Sequence, residues 1–199
     1  MKTYLIILVS LSSMTLCLGQ CSLVDEETLS DVILTEETSS HLQFLREEEY
    51  LAHDVYLYMY EKYELRPFDN IRKSEFRHTE AVKTLLDKYE ISDPSLNHEA
   101  GIFQNEDLQD LYNELIKQGE VSLEDALKVG LLIEEKDIQD LKDALSTVDE
   151  DSDIYFTLSN LKRASGNHLR AFHFNVESRD YAYTPVILDE EEFQEILNQ

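Results

Sequence analysis

Four long segments of the chain place apolar residues at alternating spacings of three and four, the period at which one helix face packs against its neighbours. From about Leu42 to Glu64 the stripe reads Leu42, Leu45, Glu49, Ala52, Tyr56, Met59. From about Asn70 to Tyr89 it reads Ile71, Glu75, His78, Val82, Leu85, Tyr89. After Ser122, to about Thr147, it reads Leu127, Leu131, Glu134, Ile138, Leu141, Leu145. From about Asp153 to Phe174 it reads Ile154, Leu158, Leu161, Ser165, His168, Phe172. Every stripe is apolar at its ends and polar in its middle. Only 5 Gly and 3 Pro among 199 residues argue against a turn-rich β fold.

The boundaries carry their own signals. The first helix stops before Arg66-Pro67, and the second, capped by Asp69 or Asn70, ends before Asp93-Pro94. Ser122-Leu123-Glu124-Asp125 is a capping box for the third. Ser152 or Asp153 caps the fourth. Helices one and two are joined by a few residues, as are three and four. Between two and three lie Ile91 to Val121, with a short helix of their own from about Glu106 to Lys117, ended by Gly119. The expected architecture is all-α: an antiparallel four-helix bundle over 41–175, with a long crossover between the second and third helices. A short C-terminal extension, 176–199, holds a β-like stretch from Tyr181 to Leu188 and a short acidic helix from Glu190.

Polar groups in the middle of a buried stripe are costly. An uncompensated buried carboxylate costs several kcal/mol, and Glu49, Glu75 and Glu134 facing one another, with Asp137 one turn from Glu134, would also repel. Divalent cations relieve both penalties, and carboxylates with imidazoles on facing helices suit Fe, Mn or Zn. The candidate ligands are Glu49, Glu75, His78, Glu134, Asp137 and His168. Tyr56 and Ser165 stand beside them. Phase alone does not separate Glu48 from Glu49, because Glu48 lies on a nearly equivalent stripe with Leu45, Ala52 and Val55. His41, His53, His98 and His173 fall off the stripes and are expected to pack or face solvent. Glu190-Glu191-Glu192 reads as a helix start, not a calcium site.

Particular strings carry a resemblance. Glu49-Tyr50-Leu51-Ala52-His53-Asp54-Val55-Tyr56 resembles the first helix of ferritins and rubrerythrins, and Glu75-Phe76-Arg77-His78 resembles their second-helix signature. Glu134-x-x-Asp137 is similar to the third-helix Glu-x-x-Glu of rubrerythrins. His168 sits where the fourth-helix Glu-x-x-His ends. The stretch from Leu42 to Phe174 further resembles a family of ferritin-like domains of unknown function, through Glu-Glu-x-x-Ala-x-Asp-Val-Tyr, Ser-Glu-x-Arg-His, Ile-Glu-Glu-x-Asp-Ile and Asn-His-Leu-Arg-Ala-Phe. The resemblance implies a ferritin-like bundle and a di-iron carboxylate centre, with iron the first expectation and Mn, Zn or Cu as alternatives. One departure matters: Ser165 stands where a complete site would supply Glu, so a single-ion site stays open.

The chain holds 42 acidic and 17 basic residues, a net charge of −25. Such a surface repels phosphate backbones, so metal cations are expected partners and nucleic acid is not. Met1 to Gly19 reads as a signal peptide cut before Gln20, with an uncleaved anchor as the alternative. The expectation is a secreted, extracellular protein with no membrane association after cleavage. A flexible acidic leader, 20–40, would follow. Cys21 would then be the only cysteine, which excludes a disulfide framework and allows a homodimer through Cys21.

Three functions follow as expectations. The first is a metal-dependent oxidase, ferroxidase or peroxidase. The second is a non-catalytic protein that holds or sequesters one ion. The third is an acidic structural or matrix protein with a vestigial site.

Overall fold

The computed structural model describes residues 34–199. The expected signal segment, Cys21 and the leader through residue 33 lie outside them. Among the described residues there are six helices and no strand: α1 Glu36–Tyr63, α2 Arg66–Lys88, α3 Glu106–Gly119, α4 Leu123–Leu145, α5 Asp153–Glu177 and α6 Glu190–Leu197. Helix α1 packs along α2, and α4 along α5; α1 also meets α4, and α2 meets α5. Helix α3 rests on α1 and α4, and α6 on α5. None of these helices is long and apolar enough to cross a membrane.

Local chemistry sets the ends. The Thr35 hydroxyl accepts from the Thr38 N–H at 3.0 Å, so α1 begins six residues before the expected Leu42 and takes in residues assigned to the leader. Glu64 stops it in the left-handed region (φ 50°), its N–H bonded to the Tyr60 carbonyl at 2.8 Å. Helix α2 starts at Arg66, before the expected cap at Asp69 or Asn70, because Pro67 fits a first turn, where no N–H partner is required. Ser122 and Ser152 cap α4 and α5 as expected, accepting from Asp125 N–H (3.1 Å) and Tyr155 N–H (3.0 Å).

The core divides in two. One apolar cluster gathers Leu42, Leu45, Val82, Leu85, Leu141, Leu158 and Leu161. The other gathers Ala52, Tyr56, Met59, Phe68, Ile71, Leu127, Leu131 and Phe172. Between them in sequence, on all four long helices, fall the polar residues that interrupt the stripes. Phe172 lies 5.1 Å and 5.4 Å, centroid to centroid, from Tyr56 and Phe68. Gly130 makes room for it: a Cβ there would stand 2.7 Å from a Phe172 ring carbon. Gly130→Ala is therefore expected to cost about 1–3 kcal/mol by overpacking, measured by urea unfolding.

The stretch from Tyr181 to Leu188 is not a strand. Among the described residues no strand pairs with it, and three of its backbone donors go to a side chain instead. Glu135, fully buried on α4, accepts the N–H groups of Val186, Ile187 and Leu188 at 2.9, 2.8 and 3.0 Å, and the Tyr183 hydroxyl at 2.6 Å. This carboxylate holds the C-terminal segment on the core, where Leu188 and Phe193 are buried.

Candidate metal centre

Glu49 of α1, Glu75 and His78 of α2, Glu134 and Asp137 of α4, and Ser165 and His168 of α5 are all buried, none more than 8% exposed. His78 Nδ1 lies 3.1 Å from Glu49 Oε2 and 2.7 Å from Glu75 Oε2. His168 Nδ1 lies 2.8 Å from Glu75 Oε1 and 3.4 Å from Glu134 Oε2. Two three-residue donor sets result, Glu49–Glu75–His78 and Glu75–Glu134–His168, each with its ligand atoms within 4.8 Å of one another. Glu75 belongs to both, one oxygen toward each imidazole. The two rings stack, with centroids 5.5 Å apart.

These atoms converge without bonding well to each other. Both Glu75 oxygens, Glu49 Oε1 and His168 Nδ1 are buried and lack a hydrogen-bond partner, despite the short separations. Buried carboxylate and imidazole atoms gathered this closely, several of them without a hydrogen bond, form a donor set that suits a cation. Neighbouring side chains orient these groups, as they would have to in a metal site. Tyr56 donates to Glu134 Oε1 at 2.6 Å, and Ser74 Oγ lies 3.4 Å from His78 Nε2. Tyr56→Phe would orphan that Glu134 oxygen, at an expected cost of about 1–3 kcal/mol in chemical denaturation.

The charges are strained. Burial raises the Asp137 carboxyl well above its ordinary range, and Glu49, Glu48, Glu134 and Glu75 add to it. Burial and Glu75 raise Glu134 against the pull of His168. Burial lifts Glu49 to about 7, although His78 opposes it. Burial would lower both imidazoles, but Glu49 and Glu75 push His78 up to about 11, and Glu75 and Glu134 push His168 to about 10. Without a cation, two imidazoliums neutralise part of the cluster.

All six expected ligands thus lie in one buried polar layer, five of them in the two donor sets. Asp137 is the sixth. Its Oδ2 accepts from Ser165 Oγ, its Oδ1 has no partner, and it belongs to neither donor set. Glu49 rather than Glu48 faces His78; Glu48 turns to Lys136 Nζ, 3.3 Å away. Tyr56 and Ser165 sit where expected, each bonded to a carboxylate of the cluster. The remaining histidines pack or sit near the surface. His53 and His98 both contact the Asp54 carboxylate at 2.8 Å, which also accepts the Gly101 N–H at 2.8 Å and so ties the α2–α3 connection to α1.

The buried carboxylates at Glu47, Asp54 and Glu135 escaped sequence reading. Glu47 accepts from the Gln104 and Asn105 N–H groups at 2.5 and 3.2 Å. The run Glu47-Glu48-Glu49 and the pair Glu134-Glu135 are the signals available in sequence, since neighbouring helical positions point about 100° apart and cannot all face one site.

A family profile described as "Uncharacterized protein domain (DUF2202)" matches residues 38–199. The uncharacterized protein MJ0754 of Methanocaldococcus jannaschii is 44% identical over 165 residues, which is 83% of this chain and 89% of the relative. The crystal structure of hypothetical protein MJ0754 from Methanococcus jannaschii DSM 2661 superposes with a TM-score of 0.81 at 43% identity, covering 83% of this chain and 94% of that one. By profile, sequence and fold, the chain belongs to the DUF2202 domain family.

Proposed function

We propose that this chain is a metal-binding protein with a ferritin-like four-helix bundle, α1, α2, α4 and α5, crossed over through α3, and that its polar layer holds two divalent cations, iron foremost. The observation that carries this is Glu75: one buried carboxylate placed between two imidazoles, both of its oxygens without hydrogen bonds. Glu49, Glu75 and His78 would hold one ion, and Glu75, Glu134 and His168 the other. Bound iron would supply redox chemistry toward dioxygen or peroxide, in an oxidase, ferroxidase or peroxidase. The chain's own part is to fix the ligands, exclude water and supply charge balance. Secretion, expected from residues 1–19, belongs to the same proposal. A second reading, one ion held without turnover, is favoured by Ser165, which brings a hydroxyl where a second charge-balancing carboxylate would stand.

The test is melting with metal and with chelator across pH. In the metal-free protein, His78 and His168 titrate at about 11 and about 10, against 6.5 for a free imidazole. Raised values stabilise the fold fully below 6.5, and that contribution is lost as pH climbs through about 10–11. A cation must displace the same protons, so its binding strengthens as pH rises. The expected result is a chelator-sensitive melting temperature, with a gap that widens from about pH 6 to about pH 9. Identical melting with and without metal at every pH contradicts the proposal.

A further inference from the structure

Glu48 is 4% exposed, yet its Oε2 has no partner. Its Oε1 faces Lys136 Nζ, which also bonds Asp140. Asp137 is 5% exposed and its Oδ1 is equally unpartnered. Asp137 is within electrostatic reach of Glu49, Glu48, Glu134 and Glu75. On successive turns of α4 exposure falls from Asp140, a quarter exposed, to Asp137 at 5% and Glu134 at 1%, and Glu48 of α1 stands across Lys136 from Asp140. Glu48 and Lys136 also line a cavity of about 20 Å³ between α1, α3 and α4, walled by Leu51, Leu115 and Ile133 among others. It has room for about one water. The stacked imidazoles on α2 and α5 form another wall of the centre.

We propose that this series is the path by which divalent cations reach the buried centre, with the Lys136 ammonium holding the outer position until a cation displaces it. The inference rests on the metal-binding reading above. Lys136 suits that position because it carries a single charge on a flexible stem, 29% exposed, between two carboxylates that a divalent ion attracts more strongly. The unpartnered oxygens of Glu48 and Asp137 offset the cost of stripping water from the ion as it passes an otherwise apolar wall.

The experiment mixes the metal-free, full-length chain with Co(II) in a stopped-flow instrument and follows tyrosine fluorescence. Tyr56, bonded to Glu134, reports arrival at the centre. Glu48→Gln is expected to slow loading about tenfold and Lys136→Met to speed it by several-fold, as charge steering does. Both variants should bind as many Co(II) ions by calorimetry as the unaltered chain. Glu48→Gln relieves repulsion in a buried acidic site and should fold; Lys136→Met leaves Glu48 and Asp140 without their cation, so its fold is checked by urea unfolding before loading is measured, and Glu48→Gln alone carries the test if it fails. Unchanged loading rates in both variants overturn the path alone. A lower Co(II) count in Glu48→Gln overturns it too, because Glu48 would then be a ligand. No Co(II) bound by the unaltered chain overturns the metal reading, and the path with it.

Discussion

Glu75→Ala is expected to abolish tight metal binding at both positions and to destabilise the metal-free protein. Glu75 is the carboxylate shared by the two donor sets, so its loss leaves each with two residues. Without metal, the same side chain is the main counter-charge for His168 and a partner of His78. Burial raises the Glu75 carboxyl, but His168 and His78 outweigh it and hold it at about 2. Breaking a buried ion pair from one side costs about 3–5 kcal/mol. The loss should be largest near pH 6. It should shrink toward pH 9, where imidazoles freed of Glu75 shed their protons. Calorimetry with Co(II) or Fe(II) and urea unfolding at the two pH values measure both effects. A Glu75→Ala protein that binds metal as the parent does would refute the shared-ligand geometry.

Glu135→Ala is the second large effect. Its carboxylate accepts four hydrogen bonds, three of them from successive backbone N–H groups. Bonds to a charged acceptor contribute about 1.5–3 kcal/mol each, and water recovers part of this where Val186 and Ile187 are exposed. A net loss of about 3–5 kcal/mol is expected. The segment after Arg179 should also detach, drawing Leu188 and Phe193 out of the core. Trypsin then cleaves at Arg179 much faster than in the parent. Glu135→Gln, which keeps one acceptor oxygen, should fall between the two. Parental protease resistance in Glu135→Ala would show that apolar packing alone retains the tail.

The helices and the polar layer were legible because both follow from period. A stripe at 3.6 residues per turn marks the buried face, and a polar break in each of four stripes marks a layer. The helix starts were less legible because caps act locally: Thr35 opens α1 early, and Pro67 lies inside the first turn of α2. Glu48 and Glu49 could not be separated by phase, because α1 is covered on several sides. Glu47 meets the start of α3, Glu48 meets α4 and Glu49 meets α2. Tyr181 to Leu188 alternates like a strand, but alternation does not say whether an edge is available to receive it. Here a buried glutamate, distant by about 50 positions, takes the donors instead. Ser165 reads as a missing ligand from sequence; that its hydroxyl bonds the Asp137 carboxylate is a pairing invisible in either helix alone.

The most direct test of the central claim is the metal content of the chain purified without chelators or metal-affinity resin, alongside Glu75→Ala prepared identically. Elemental analysis should find about two divalent ions per parent chain, iron foremost, as the two donor sets sharing one carboxylate require. The variant should carry almost none. A parent chain free of metal, and unable to take up Fe(II), Mn(II), Zn(II) or Cu(II) when these are offered, would contradict the claim.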